Sequence, residues 1–282
     1  MTIETALLST IDPLSFLALP PYLFCVAALT ALSARLASAS DSPTLSAPSE
    51  YAVAASRLCQ RLAVAPALAV FLFLPQGNLP PFFPFGAGMP VIFALFALLL
   101  LLLAAASPTA RTKAADAARY GLLPLAAACA AAAFLAHTRG APGAPFSMGT
   151  FSSIPLWSMV DIPARVGLAV MAAGLLLCIG KAFPLAPRAA FAWYAFRLAV
   201  AHTFLALLLP PLFIRLVPDL GLPLLCLLEL GLRWLLAFLL AHWIMPLTGR
   251  VRNTLMGPIL FCLGLALALG TMHAFMADRA VA

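Results

Sequence analysis

Charged residues are what this sequence has least of. Only 9% of its 282 residues are Asp, Glu, Lys or Arg, whereas 64% are hydrophobic and the mean hydropathy is +1.07. Soluble domains carry about a quarter of their residues as charges, so a soluble globular class is excluded. The apolar runs also lack the alternation of a transmembrane barrel strand. The remaining class is an all-α, polytopic helix bundle in the membrane, in which every backbone polar group bonds within its own helix.

Motifs of soluble chemistry are missing as well. The sequence has no GxGxxG, no P-loop, no Ser/His/Asp arrangement with a suitable context and no acidic pair for Mg²⁺. Its six cysteines lie far apart without CxxC spacing, which argues against a metal or disulfide role. Haem ligation by His202 and His242 stays open on composition alone. No basic cluster carries aromatic neighbours, so nucleic acid is not an expected partner, and we predict no catalytic centre, cofactor or metal in this chain.

Eight apolar runs are long enough to cross a bilayer. A hydrocarbon core about 30 Å thick needs about 20 apolar residues per helix. No connection between the runs is long enough to form a soluble domain, so we predict one transmembrane domain over residues 1–282. The predicted spans are 14–36, 56–76, 89–107, 119–137, 164–183, 191–214, 220–246 and 254–276.

Basic residues collect on alternate connections. Eleven of the sixteen Lys and Arg lie on or beside the odd-numbered connections, Arg197 among them, whereas four lie on the other side. Cytoplasmic loops carry the excess of positive charge, so we predict that both termini are non-cytoplasmic. The N-terminus lacks the basic region of a secretory signal, and we expect its helix to be retained. Candidates for docking partners on the cytoplasmic loops are Arg111, Lys113, Arg119, Arg188, Arg250 and Arg252.

Ionisable residues inside the predicted spans are candidates for function, because each costs about 2.5–3.5 kcal/mol on insertion. Glu229 and Arg233 are four residues apart, and therefore on one face of the seventh span. His202 lies half-way along the sixth span, and His242 near the end of the seventh. We predict that these four residues form a track that carries protons. In the alternative interpretation the charged pair only neutralises itself, His202 packs through hydrogen bonds, and His242 anchors the interface beside Trp243.

Lys181 is a fifth candidate for the proton path. It closes the fifth span in the sequence IGKAFP. The alternative is that its ammonium extends to the lipid headgroups while its methylene stem stays in the apolar layer, as lysines at span ends commonly do.

Several short stretches, in order along the chain, are similar to one known family. They are residues 62–66 (LAVAP), 114–125 (AADAARYGLLPL), 174–183 (GLLLCIGKAF), 195–199 (AFRLA) and 250–252 (RVR). With eight spans and an outside N-terminus, the chain resembles subunit 1 of respiratory complex I. It resembles equally the counterpart of that subunit, the membrane-anchor subunit of formate hydrogenlyase and of energy-converting hydrogenases.

The resemblance implies a membrane subunit of an oxidoreductase complex in a bacterial-type inner membrane. Such a subunit anchors peripheral electron-transfer subunits, which hold the iron–sulfur clusters, and takes part in proton or cation translocation. Quinone would bind at the level of the complex. One departure is clear: the family has an acidic stretch after the fifth helix, whereas residues 184–194 contain no Asp or Glu and Arg188 is their only charge.

Two other functions are weighed against this one. A stand-alone transporter of small solutes predicts paired helices broken by Gly or Pro around a midplane site. Pro210, Pro211 and Pro223 are consistent with such breaks, but the two halves of the chain do not mirror each other. A membrane transferase acting on lipids is disfavoured, because no acidic metal-binding pair faces the cytoplasm.

Overall fold

The computed structural model describes residues 50–74, 88–106, 108–138, 160–182, 191–208, 222–249 and 255–281. Within these ranges every regular element is a helix, which confirms the predicted all-α class. The helices are α1 (Glu50–Leu62), α2 (Val64–Phe73), α3 (Gly88–Ala106), α4 (Pro108–Asp116), α5 (Leu123–Thr138), α6 (Ile162–Ala182), α7 (Phe191–Leu208), α8 (Leu222–Leu239), α9 (Met245–Gly249) and α10 (Met256–Val281).

Five helical stretches of the described residues are long and apolar enough to cross a membrane. They are Ala55–Phe73, Gly88–Ala106, Ala110–Thr138, Ile162–Ala182 and Gly231–Gly249. They coincide with the second, third, fourth, fifth and seventh predicted spans. The sixth and eighth correspond to the shorter apolar helices Trp193–Leu208 and Met256–Thr271, and the first lies outside the described residues. The chain is therefore a multi-pass membrane protein.

Two π-helical segments interrupt the α-helices, and each is followed closely by a proline. The first π segment, Ala117–Leu122, precedes Pro124, and the second π segment, Leu240–Ile244, precedes Pro246. Proline cannot donate the usual backbone hydrogen bond, and its ring clashes with the preceding turn. At each site the residue before the proline bonds to the carbonyl five residues back. The wider turn gives the proline ring room without ending the helix.

Helices α6 and α10 pack antiparallel with their backbones in contact. Gly167 lies against Ala268 and Gly264, Gly174 lies against Phe261, and a Cβ atom added at any of the three glycines would collide with the backbone opposite. Small residues at an interface allow this approach between helices in lipid, where van der Waals packing drives association. The pair forms a close-packed scaffold.

One end of the bundle gathers the C-terminus of α6, the first π segment and α9. Gly180, near the end of α6, lies against Met245, Thr248 and Gly249. The Thr248 hydroxyl also donates a hydrogen bond to the Leu176 carbonyl at 3.4 Å. The Lys181 ammonium at the end of α6 lies over the ring of Tyr120 in the first π segment, so the end of α6, the first π segment and α9 meet in one region.

Candidate functional site

Helices α7 and α8 run antiparallel and meet through their side chains. The His202 ring lies 5.0 Å from the Trp234 ring, and the Tyr194 ring lies 6.3 Å from the His242 ring. The contact made by the later residue of α7, His202, is with the earlier residue of α8, Trp234. The earlier residue of α7, Tyr194, contacts the later His242, so the two helices run in opposite directions. Four of the five residues predicted for the proton path lie along this interface.

Glu229 and Arg233 form a buried ion pair on α8. Arg233 Nε donates to Glu229 Oε1 at 3.2 Å, and the two residues are 0% and 3% exposed. Their spacing of four residues places both on one helical face, as the sequence predicts. Two charges without water are expensive unless they are paired. Each partner therefore permits the other to lie inside the bundle.

His202 lies next to this pair on the facing helix. Its ring is 1% exposed and lies between Phe71 of α2, 5.4 Å away, and Trp234 of α8. Neither ring nitrogen has a hydrogen-bond partner among the described residues. Buried polar atoms are nearly always satisfied, so an imidazole in this state is suited to exchange protons with water or with a moving group.

His242 marks the end of the interface. It lies in the second π segment, is exposed, stacks on Phe238 at 5.4 Å and faces Tyr194. From Glu229 to His242 the helix rises about 20 Å at 1.5 Å per residue, which is about two thirds of a hydrocarbon core. The four residues, named here the polar track (His202, Glu229, Arg233, His242), thus extend from within the bundle to its surface.

Lys181 lies apart from the polar track. It is half-buried at the end of α6, and its ammonium lies 4.8 Å from the centre of the Tyr120 ring in the first π segment. A lysine over an aromatic face gains about 0.5–1 kcal/mol at such sites. This contact ties α6 to the first π segment. It does not extend the path between α7 and α8.

The predicted docking residues are only partly described. Lys113 and Arg119 are exposed, Arg111 is half-buried, and the Arg119 guanidinium lies 5.5 Å from the Tyr120 ring. Arg119 and Lys181 therefore approach the same ring at one end of the bundle. The other predicted docking residues, Arg188, Arg250 and Arg252, lie outside the described residues.

Arg197 is a residue that the charge pattern misassigned. We counted it among the basic flanks of the fifth connection, but it is 4% exposed and lies inside the bundle on α7. The signal was available: Arg197 is the seventh residue of the predicted span 191–214, and it follows the apolar sequence FAWYAF. Depth within a span is a better guide to burial than membership of a loop.

The described residues contain no group of three or more His, Cys, Asp or Glu that could hold a metal ion. Among them, Cys59, Cys129, Cys178 and Cys262 are free thiols. The ionisable groups discussed above are the Glu229–Arg233 ion pair, the imidazoles of His202 and His242, and the buried guanidinium of Arg197. Such groups move protons or bind anions.

No protein-family model matches the chain, and no curated protein matches it. The resemblance to complex I subunit 1 and to hydrogenase membrane anchors therefore stays a prediction.

Proposed function

We propose that this chain is an integral membrane subunit of a multisubunit redox complex, and that its polar track takes part in proton translocation. The observation that carries the proposal is the Glu229–Arg233 ion pair, buried in an apolar bundle beside His202. Intramembrane charges of this kind are costly and mark proton relays in pumps and transporters.

The chemistry of the track follows from its members. A proton that reaches Glu229 cancels its charge and weakens its hold on Arg233. His202 has two nitrogens not committed to any described residue, so it can take a proton on one nitrogen and release one from the other. His242, at the exposed end, exchanges that proton with water. Reversible breaking of the ion pair is the step that couples the track to events elsewhere in the complex.

In this proposal the complex consists of this membrane subunit and of peripheral subunits that carry out electron transfer. The described residues of this chain form membrane helices, and electron transfer would be supplied by peripheral subunits that hold iron–sulfur clusters, with quinone bound at the level of the complex. The end of the bundle with Arg119 and Lys181 is the docking face for those subunits. In this proposal that face is cytoplasmic, both termini are on the other side, and the membrane is a bacterial-type inner membrane.

Affinity purification of the tagged chain in mild detergent, followed by mass spectrometry, tests the proposal. Recovery of iron–sulfur and hydrogenase-like or quinone-reductase subunits in fixed ratio is the expected result. A matched preparation with Arg119→Glu and Lys181→Glu, which reverse the charge of the docking face, should lose the peripheral subunits and keep the membrane ones. A chain that purifies alone, or only as a homo-oligomer, would contradict the subunit role.

A stand-alone transporter of small solutes is the second candidate. Buried Arg197 favours it, because its Nε and Nη2 atoms have no hydrogen-bond partner among the described residues, and such a cation inside a bundle is suited to an anionic solute. Uptake by proteoliposomes that contain this chain alone would support transport, whereas uptake that requires partner chains would support the subunit.

A further inference from the structure

Arg197 is a buried cation whose binding edge is unoccupied by the described residues. It is 4% exposed, and its Nε and Nη2 atoms are both buried without a hydrogen-bond partner in the described ranges. Buried cations in folded proteins are paired or hydrogen-bonded. The guanidinium therefore requires an acceptor that the described helices do not supply.

The two unpartnered atoms specify the shape of that acceptor. Nε–H and the neighbouring N–H of Nη2 point in parallel from one edge of the planar guanidinium. This edge is the fork that binds the two oxygens of a carboxylate side by side. A halide ion cannot place a separate acceptor opposite each N–H group. A carboxylate accepts a hydrogen bond from both N–H groups and also neutralises the positive charge.

The charge balance between α7 and α8 points the same way. Among the residues of α7 and α8 that the structure describes, the buried charged ones are Arg197, Arg233 and Glu229. Glu229 is bonded to Arg233, so Arg197 leaves one positive charge in excess. A monoanion cancels that excess, whereas a metal cation would add to it.

Burial also limits the source and size of the ligand. The Nε and Nη2 atoms of Arg197 are both buried, so a lipid headgroup at the surface of the bundle does not contact this edge. An enclosed edge also admits only a small ligand.

We propose that the Nε–Nη2 edge of Arg197 is a binding site for the carboxylate of a small monocarboxylic acid. The site goes beyond the proposed function, since it would exist in a complex subunit and in a transporter alike. His202 lies five residues further along α7, a rise of about 7.5 Å and a net rotation of about 140° around the helix, so the proposed site is separate from the polar track.

Acetate is the probe, and saturation-transfer NMR of its methyl group is the measurement, with the full chain purified in detergent micelles. We expect a saturable signal from the wild type. Arg197→Lys keeps the charge but removes the fork, and it should weaken acetate binding at least tenfold. Arg61→Lys, the same exchange at an exposed arginine of α1, should leave the affinity unchanged. Acetamide, which has the shape of acetate without its charge, should not compete in the wild type.

Two results would overturn the site. One is a wild type without saturable acetate binding, which would mean that a carboxylate of the protein itself already occupies the fork. The other is equal acetate affinity in the wild type and Arg197→Lys. The acetamide comparison needs only the wild type, so it decides the matter even if Arg197→Lys does not fold. Co-purification of partner subunits is measured independently, and its failure would not affect this result.

Discussion

The α6–α10 and α7–α8 interfaces differ in the groups that join their two helices. Between α6 and α10, glycines bring the backbones together, and the described contacts contain no charge. Between α7 and α8, the contacts are made by rings, and α8 carries the buried Glu229–Arg233 ion pair. The first interface is rigid because close-packed backbones have no alternative arrangement. The second contains groups whose charge can change, so function is expected there.

The largest expected effect comes from breaking the ion pair of the α7–α8 interface. Glu229→Gln leaves Arg233 buried without its counter-charge, and loss of one partner of a buried pair costs about 3–5 kcal/mol. Detergent-titration unfolding of the purified chain measures the change. Asp116→Asn removes an exposed carboxylate on α4 and should change stability by less than about 0.5 kcal/mol. Equal unfolding midpoints for the two variants would mean that the pair is solvated.

The α6–α10 interface should respond to volume instead of charge. Gly174→Ala places a methyl group against the Phe261 backbone, and overpacking of this kind costs about 1–3 kcal/mol. Gly270→Ala, on α10, meets nothing within 4 Å and serves as the matched control. Thermal unfolding in detergent should separate the two, and a Gly174→Ala variant as stable as Gly270→Ala would refute the backbone contact.

His202→Phe separates packing from proton chemistry within the α7–α8 interface. The new ring keeps the contacts with Phe71 and Trp234 and removes two unpartnered nitrogens, so stability should stay within about 1.5 kcal/mol of the wild type. Proton uptake by inverted membrane vesicles should fall if His202 relays protons. Unchanged uptake in a variant that folds would show that the ring only packs.

The smallest expected effect is at the end of the bundle. Lys181→Met keeps most of the side-chain volume and removes the cation above Tyr120, with an expected loss of about 0.5–1 kcal/mol. Lys113→Met, at an exposed position on α4, is the control and should be neutral. A loss at Lys181 comparable with that of Glu229→Gln would place it among the essential buried charges.

Composition predicted the helical class, because lipid leaves the backbone no partner outside the helix. It also placed the second, third and fifth spans within a few residues of the helical stretches Ala55–Phe73, Gly88–Ala106 and Ile162–Ala182. The helix predicted at 119–137 begins earlier, since the first π segment lets it continue through Pro124, and the span predicted at 220–246 corresponds to the apolar stretch Gly231–Gly249. The spacing of Glu229 and Arg233 predicted their contact, because helix geometry alone brings residues four apart together.

Contacts between distant segments could not be predicted in the same way. The glycines of α6 and α10 recur at intervals of seven and then six residues, but the sequence does not say which helix they meet. Likewise, the pairing of His202 with Trp234 depends on the antiparallel approach of α7 and α8. Arg197 was misassigned because a count of loop charges ignores how far a residue lies inside a span.

The most direct test of the account replaces both charges of the ion pair at once, with Glu229→Met and Arg233→Met. Apolar residues of similar volume often replace a buried pair at no cost or stabilise the fold by about 1–4 kcal/mol, so the double variant should fold and assemble. Proton uptake is then measured in inverted vesicles, with the electron donor that the co-purified subunits identify. The account predicts a stable, assembled complex that no longer translocates protons. Translocation at the wild-type rate would show that the pair only joins helices.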